Sequence, residues 1–350
     1  MDRLLKDAKL EHLCEQLASL EINEVFSLLD QGRPKLLERL KDAGVVKLPE
    51  RQAVAKAAAV LRRDYFGSGQ PLLLCLYSAG VPVKSGHDLM KPILTAAKAA
   101  GIEDQLVLDH HNEPPYDKCA SADEYLGMLE ATINEVPTRR NRPLVIVAHS
   151  HGSVAAYGLA RRLAPQVRAL CILARRPPTR ELLNDVFGVA TCPEIARMPL
   201  AELAQKLAAV YKNEVLAAAT KTPDTSRWGP VFVDAIRIAQ AQYSSRCSLC
   251  DAADIQASLG VDTPGTVPPS CVLSCPILAV ASSQETEQGE SESKMSEWRA
   301  LTTNEAFRLE RVDAAHMSIP TTQSVISMVV DFVKPFVKPK VFSPNPTRKP

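Results

Sequence analysis

One serine stands between small residues where an apolar run gives way to a helical pattern. The run is Leu144 to Val147, and the junction after it reads Ala148-His149-Ser150-His151-Gly152. Small residues on both sides of a serine let the backbone turn sharply and lift the hydroxyl above a sheet, as in the G-x-S-x-G pattern. Ser150 is therefore a candidate nucleophile for acyl transfer. The alternative is that Ser150 only caps the helix that begins at His151, since serine is a preferred capping residue.

A nucleophilic serine needs a base to take its proton and a carboxylate to orient that base. Glu285 and His316 follow Ser150 in the chain order serine, acid, histidine that hydrolases of this pattern use. The two histidines that flank Ser150 lie too close in sequence to fold back onto it, so His316 is the expected base. Glu287 is a rival for the acid, because the same loop carries several carboxylates.

Apolar runs that alternate with helical patterns indicate the elements that position these residues. The runs predict strands at 72–77, 103–108, 144–147, 167–174, 275–281 and 307–312. A helical pattern from Thr322 to Phe336 follows the last of them. This order predicts an α/β fold of the α/β-hydrolase class, with a mostly parallel sheet, helices on both faces and Ser150 at the carboxyl edge.

Residues 182–270 interrupt the strand pattern with helical segments, notably from Met198 onward and from Pro230 to Tyr243. An insertion of this length between two strands predicts a helical lid whose apolar face lines an acyl channel. The alternative is that these helices serve only as core packing.

Short motifs follow one another in a recognisable order along residues 70–335. In chain order they read Leu74-Cys75-Leu76-Tyr77-Ser78-Ala79-Gly80, Arg175-Arg176-Pro177-Pro178, Met198-Pro199-Leu200-Ala201-Glu202-Leu203, Ser274-Cys275-Pro276-Ile277, Trp298-Arg299 and Asp313-Ala314-Ala315-His316-Met317. They resemble motifs of the stand-alone (type II) thioesterases of polyketide and nonribosomal peptide pathways. Two residues depart from that family's pattern, since Ala148 replaces a leading glycine and His151 replaces a common methionine.

The resemblance implies a site and a substrate. The backbone N–H groups of Ala79 and His151 would form the oxyanion hole, and Glu285 falls where the triad acid belongs. The substrate would be an acyl thioester carried by CoA or by an acyl carrier protein, as in polyketide, nonribosomal peptide or fatty acid biosynthesis. The carrier protein is then a partner, and no cofactor or metal is expected. Two other functions stay open: a carboxylesterase or lipase of the same fold, and a non-catalytic interaction protein that binds acyl chains.

Residues 1–66 carry a separate helical pattern, which we expect to form a small all-α unit ahead of a hydrolase domain at 70–336. The stretch from Leu40 to Ala57 resembles the end of a SAM-like helical domain. In it, Gly44 suits the end of one helix and Pro49 the start of the next. The resemblance implies a protein-interaction module, and the alternative is a helical extension packed on the main domain.

The balance of charge limits the partners. Lys and Arg number 41 against 40 Asp and Glu, a net charge of +1, so neither nucleic acid nor a membrane surface is an expected partner. The first residues are charged and lack the apolar core of a secretory signal, so we expect a cytoplasmic protein. The nine cysteines are then expected to be free thiols.

Four cysteines have a spacing that zinc sites also use. Cys247 and Cys250 are followed by Cys271 and Cys275, but no histidine lies between the pairs and Cys275 begins an apolar run. Core packing is therefore the preferred interpretation. The stretch 337–350 is basic and proline-rich and is predicted to be a disordered tail.

Overall fold

The computed structural model divides into two compact units, Met1–Gly69 with Asn141–Pro143, and Gln70–Arg140 with Leu144–Pro350. Within residues 2–337 it describes all positions except 8–9, 18–19, 21, 67–70, 79, 82, 109–121, 137–138, 140–141, 165, 178–182, 223, 245–270, 287, 304 and 306. The predicted tail thus lies outside the described residues, apart from the backbone of its first residue. No described helix is both long enough and apolar enough to cross a membrane.

The first unit is helical throughout its described part. Its helices are α1 (Asp2–Asp7), α2 (Ile22–Gln31), α3 (Arg33–Asp42) and α4 (Leu48–Phe66), with a short 3₁₀ turn at Glu11–Leu13. Their leucines bury a core of their own, in which Leu17, Leu36 and Leu40 are fully covered. Gly44 ends α3 with a φ of +94°, a conformation that glycine adopts without a side-chain clash.

The second unit is built on a parallel sheet. Its strands are β1 (Leu72–Leu76), β2 (Gln105–Val107), β3 (Leu144–His149), β4 (Val167–Leu173), β5 (Ile277–Ser282) and β6 (Arg308–Val312). They lie in the order β2-β1-β3-β4-β5-β6, and every neighbouring pair is parallel. The run that predicted a strand at 144–147 extends two residues further, to His149. The strand predicted at 103–108 is shorter than expected, and β2 is a half-buried strand at the edge of the sheet.

Helices cover both faces of this sheet. The helices of the second unit are α5 (Val83–Ala99), α6 (Ala122–Asn134), α7 (Gly152–Arg162), α8 (Cys192–Arg197), α9 (Leu200–Val210), α10 (Glu214–Ala219), α11 (Pro230–Ser244), α12 (Glu292–Ser296) and α13 (Gln323–Val337). Apolar residues of α5 and α13 pack on one face, and those of α6 and α7 pack on the other. Strands covered on both sides carry continuous apolar runs, as β1, β3 and β5 do. The predicted α/β-hydrolase fold is confirmed.

The strand order fixes where a site can lie. From β1 the chain passes outward to β2 and then returns to the other side of β1 as β3. The loops after β1 and β3 therefore leave the sheet in opposite directions and open a crevice between them, at the carboxyl ends of the strands. Ser150 directly follows β3 and lies at this crevice.

The segment 183–244, here called the lid, follows β4. It begins with a π turn at Leu183–Phe187 and continues through α8, α9, α10 and α11. Its apolar residues form a cluster separate from those of the two sheet faces. The predicted lid extended to 270, and its last part, 245–270, lies outside the described residues.

Candidate active site

The turn from β3 into α7, which we call the elbow (148–152), holds Ser150 in a strained backbone conformation. Its φ is +51°, in the left-handed region that a residue with a side chain seldom occupies. The Ser150 N–H donates to the carbonyl of Leu173 at 2.8 Å, which ties the turn to β4. A Cβ at Gly152 would lie 2.5 Å from the carbonyl oxygen of Tyr77, so glycine is required there. Ala148 is fully buried in place of the more usual glycine.

His316 lies against Ser150. It begins the 3₁₀ turn His316–Thr321 after β6, and its Nε2 is 2.8 Å from the Ser150 hydroxyl oxygen. Both side chains are buried, with Ser150 3% and His316 5% exposed. This distance is within hydrogen-bond reach, which a general base requires.

Glu285 completes the arrangement from the loop after β5. One of its carboxylate oxygens is 2.5 Å from His316 Nδ1. The second oxygen faces Gly289, where a Cβ would come within 2.7 Å of it. The structure thus brings Ser150, His316 and Glu285 into one hydrogen-bonded chain, while the rival Glu287 lies outside the described residues.

Three hydrogen bonds join the end of β5 and the acid loop (283–291) to residues 313–314, just before His316. The Ser282 hydroxyl donates to the carbonyl of Ala314 at 2.5 Å. The hydroxyl of Ser283 and the amide of Gln284 both donate to Asp313, at 3.1 and 2.9 Å. The bonds from Gln284 and, secondarily, Ser283 lower the pKa of Asp313 below its ordinary value. Glu285 and His316 are therefore fixed relative to each other by their neighbours as well as by their own contact.

Of the two expected oxyanion donors, one lies within the described residues. His151 directly precedes α7, at the helix end where backbone N–H groups have no partner within the helix. Its ring packs edge-on against Tyr243 of the lid, with centroids 4.8 Å apart. Ala79 lies outside the described residues. Its neighbour Gly80 has a φ of +69°, and a Cβ there would meet the carbonyl of Ala235 in α11 at 2.7 Å.

His149 has a place in this site that its sequence position did not reveal. It is fully buried, its Nδ1 is 2.6 Å from the Ser78 hydroxyl, and its Nε2 is 2.9 Å from the carbonyl oxygen of His316. Burial, and secondarily the nearby His316, lower the pKa of His149 to about 3. The sequence places His149 at the end of a buried apolar run, where a polar side chain needs hydrogen-bond partners. That position could have marked His149 as part of a buried contact.

A buried ionic network supports the acid loop from the opposite side. Glu290, fully buried, accepts from the backbone N–H of Arg176 at 2.5 Å and from the Arg175 guanidinium at 3.3 Å. Arg176 also pairs with Asp185 at 2.5 Å and donates to the carbonyl of Gln288. The motif Arg175-Arg176 was recognised from sequence, whereas its carboxylate partners were not.

The lid contacts this network and His316. The Tyr211 hydroxyl donates to Glu290 at 3.2 Å, and the Tyr211 ring lies 4.4 Å from the His316 ring, centroid to centroid. Thr286 donates to the carbonyl of Val210 at 3.0 Å. Burial, followed by neighbouring Tyr243 and Glu290, raises the pKa of Tyr211 well above its ordinary value, so the hydroxyl stays protonated and donates. The end of α9 and the acid loop thus form one contact region.

Only half of the four-cysteine pattern lies in the described part of the chain. Cys271 and Cys275 are buried, and burial raises the pKa of the Cys275 thiol to about 12. Cys247 and Cys250 lie outside the described residues. Among those that are described, no group of three or more His, Cys, Asp or Glu side chains is placed to hold a metal ion.

Comparison with known proteins gave matches only among solved structures, because no protein-family model and no curated protein sequence matches the chain. One is the Vlm2 thioesterase domain with genetically encoded 2,3-diaminopropionic acid, bound with a dodecadepsipeptide (16% identity, 78% of this chain, 95% of that chain, TM-score 0.40). Another is olei00960, a hydrolase from Oleispira antarctica (13% identity, 77% of this chain, 93% of that chain, TM-score 0.47). A third is the Cif epoxide hydrolase from Acinetobacter nosocomialis (15% identity, 78% of this chain, 84% of that chain, TM-score 0.48). At these identities and TM-scores the similarities carry no argument about the reaction, which has to be inferred from the site itself.

Proposed function

We propose that this protein is a serine hydrolase that cleaves acyl thioesters. The observation that carries the proposal is the chain of two hydrogen bonds, 2.8 Å from Ser150 to His316 and 2.5 Å from His316 to Glu285. These bonds lie at the carboxyl edge of the parallel sheet. The backbone of Ser150 is held there at a φ of +51°. This combination matches the requirements for nucleophilic catalysis by serine.

The reaction follows from these contacts. The Ser150 oxygen attacks the carbonyl carbon while His316 Nε2 takes the hydroxyl proton, and Glu285 stabilises the resulting imidazolium. Backbone N–H groups of His151 and Ala79 would bind the oxyanion of the tetrahedral intermediate. Collapse breaks the carbon–sulfur bond, and the sulfur leaves as a thiol with the proton from His316. Water, deprotonated by His316, then attacks the acyl-serine and releases the free acid and Ser150.

The thioester assignment rests on the family resemblance of the motifs at 70–335. A thiol has a pKa of about 8.5, so a thiolate is a better leaving group than an alkoxide and depends less on protonation. The expected carrier is an acyl carrier protein or CoA, in polyketide, nonribosomal peptide or fatty acid biosynthesis. The helical unit at 1–66 is the proposed contact for a protein partner.

The test uses the purified full chain with matched substrates. An acyl-N-acetylcysteamine thioester and the corresponding oxygen ester are compared at equal chain length, and Ser150→Ala serves as the control. We expect faster thioester hydrolysis and a loss of several orders of magnitude in Ser150→Ala. A preference for the oxygen ester would instead make the protein a carboxylesterase or lipase. Absence of both activities, together with no fluorophosphonate labelling of Ser150, would make it a non-catalytic acyl-binding protein.

A further inference from the structure

We propose that His149 is a positioning residue. Its imidazole bridges the backbone of His316 and Ser78 in the loop after β1, and so holds the base and this loop in place around Ser150. The inference rests on the proposed serine mechanism. His149 does not touch the Ser150 hydroxyl in the described contacts, and its ring centroid lies 5.2 Å from that of His316. It therefore acts through another residue and takes no part in the proton transfers.

The arrangement of protons in this bridge can be deduced. The carbonyl oxygen of His316 can only accept, so His149 Nε2, at 2.9 Å, must carry the proton and donate it. Nδ1 is then a lone-pair acceptor, and the Ser78 hydroxyl donates to it at 2.6 Å. One neutral tautomer satisfies both bonds, and the other would place two acceptors opposite each other.

The neutral form is also the one that the surroundings favour. His149 is fully buried, and burial is the main cause that lowers its pKa to about 3, with His316 as the second cause. During the reaction His316 becomes an imidazolium. A neutral neighbour avoids like-charge repulsion at that step, so His149 can hold the His316 backbone throughout the cycle without opposing the charge that develops there.

The two partners of His149 belong to the segments that carry the proposed base and the expected oxyanion donor for Ser150. The carbonyl belongs to His316 itself, so this bond restrains the peptide plane from which the imidazole extends. Ser78 directly precedes Ala79, the expected oxyanion donor. His149 adjoins Ser150 in sequence and is the last residue of β3, paired with Leu173 on β4. A rigid strand thus presents the nucleophile and anchors both neighbouring loops, and misplacement of about 1 Å in such a site can cost about 100-fold in rate.

Two amide substitutions that differ by one methylene test the bridge. In His149→Gln the amide nitrogen reaches the former Nε2 position and can donate to the His316 carbonyl, while its oxygen accepts from Ser78. In His149→Asn the shorter side chain reaches Ser78 but not that carbonyl. We expect His149→Gln to keep kcat within a few-fold and His149→Asn to lose roughly 10- to 100-fold in kcat at unchanged KM.

Controls separate positioning from folding. The rate is expressed per site titrated with a fluorophosphonate, so that unfolded molecules do not count. The low-field proton resonance of His316 Nδ1–H reports the contact with Glu285 directly, and we expect it to broaden or shift in His149→Asn but not in His149→Gln. Ser78→Ala added to His149→Asn should cause a further loss in kcat, because the Asn side chain still holds Ser78 and the second change releases the loop after β1.

The outcomes are distinct. Equal kcat in the Asn and Gln variants, or a loss confined to KM, overturns the role of His149 and leaves the proposed function intact. If the wild type neither hydrolyses esters nor reacts with the probe, the proposed function fails. An unchanged His316 resonance in His149→Asn would then overturn the bridge as well.

Discussion

The elbow after β3 and the acid loop after β5 deliver side chains to the same edge of the sheet, but different interactions hold them. The elbow is held by backbone geometry, namely a strained φ at Ser150 and the close approach of Gly152 to the Tyr77 carbonyl. The acid loop is held by side chains, through Glu290, the buried arginines and the lid. Backbone geometry of the kind seen at the elbow can be predicted from a few adjacent residues. The side-chain contacts of the acid loop join residues far apart in sequence, and they also connect this loop to the lid.

Two glycine substitutions should separate these devices most sharply. At Gly152 a Cβ would lie 2.5 Å from one backbone oxygen and 2.9 Å from a backbone carbon of β1, so Gly152→Ala must displace the elbow or the strand. At Gly289 a Cβ would meet the Glu285 carboxylate at 2.7 Å, and a side chain can move away. We expect Gly152→Ala to lose fluorophosphonate labelling almost entirely, whereas Gly289→Ala stays labelled and loses about 10- to 100-fold in kcat. The reverse ranking would mean that the acid loop is the more rigid of the two.

The acid itself gives the next largest effect. Glu285→Gln preserves size but removes the charge that orients His316 and stabilises its imidazolium, so kcat should fall by about 10⁴-fold with the fold intact. Glu287→Gln is the matched control and should change kcat little. Steady-state kinetics on both variants decide the assignment, since a larger loss in Glu287→Gln would transfer the role of acid to that residue.

Removing the carboxylate beneath the acid loop should affect stability more than chemistry. Glu290→Ala leaves Arg175 and Arg176 buried with less compensating charge, and breaking a buried ion pair in this way costs about 3–5 kcal/mol in the free energy of unfolding. Urea denaturation measures the loss. Glu290→Gln, which keeps one acceptor, should lose less. A change below about 1 kcal/mol in Glu290→Ala would contradict the importance assigned to this network.

Lowering the pH should reduce the free energy of unfolding through His149. The pKa of His149 is lowered to about 3 by burial, against an unfolded value of about 6.5. Below pH 6.5 the unfolded chain binds a proton that the folded chain does not, so stability from this group falls as pH falls from about 6.5 toward 3. The loss at pH 4 is on the order of 3 kcal/mol. Urea titrations at pH 7 and pH 4 should show a smaller decrease for His149→Gln, and equal decreases would contradict this.

The smallest effect is expected where the lid meets the network. Tyr211→Phe keeps the ring against His316 but removes the hydroxyl that donates to Glu290. The hydroxyl donates to Glu290 and accepts from Arg175 at 3.4 Å. Hydrogen bonds to charged groups are worth about 1.5–3 kcal/mol each at most, and here Glu290 and Arg175 keep their ion pair with each other. We expect a lowering of stability by about 1 kcal/mol and kcat within a few-fold of wild type. A loss of 100-fold in kcat would instead show that the lid contact orients the base.

The strands and the elbow could be predicted from the sequence because their causes are local. Apolar runs such as 72–77 and 167–174 have the length and composition that a doubly covered parallel strand requires, and the structure places strands there. Small residues around Ser150 indicate a sharp turn, because their side chains leave room for the backbone to reverse direction there. The order of Ser150, Glu285 and His316 along the chain made them candidates, although order alone gives no distances.

What the sequence determined by itself was therefore the fold class, the identity of the elbow and a short set of candidate groups. Only the tertiary structure brought Glu285 and His316 within 2.5 Å of each other, gave His149 its two partners and buried Glu290 between two arginines. These contacts join residues 31 to 167 positions apart. Hydrophobic periodicity carries no information about such separations, because a polar side chain chooses its partner only after the sheet has brought distant loops to one edge.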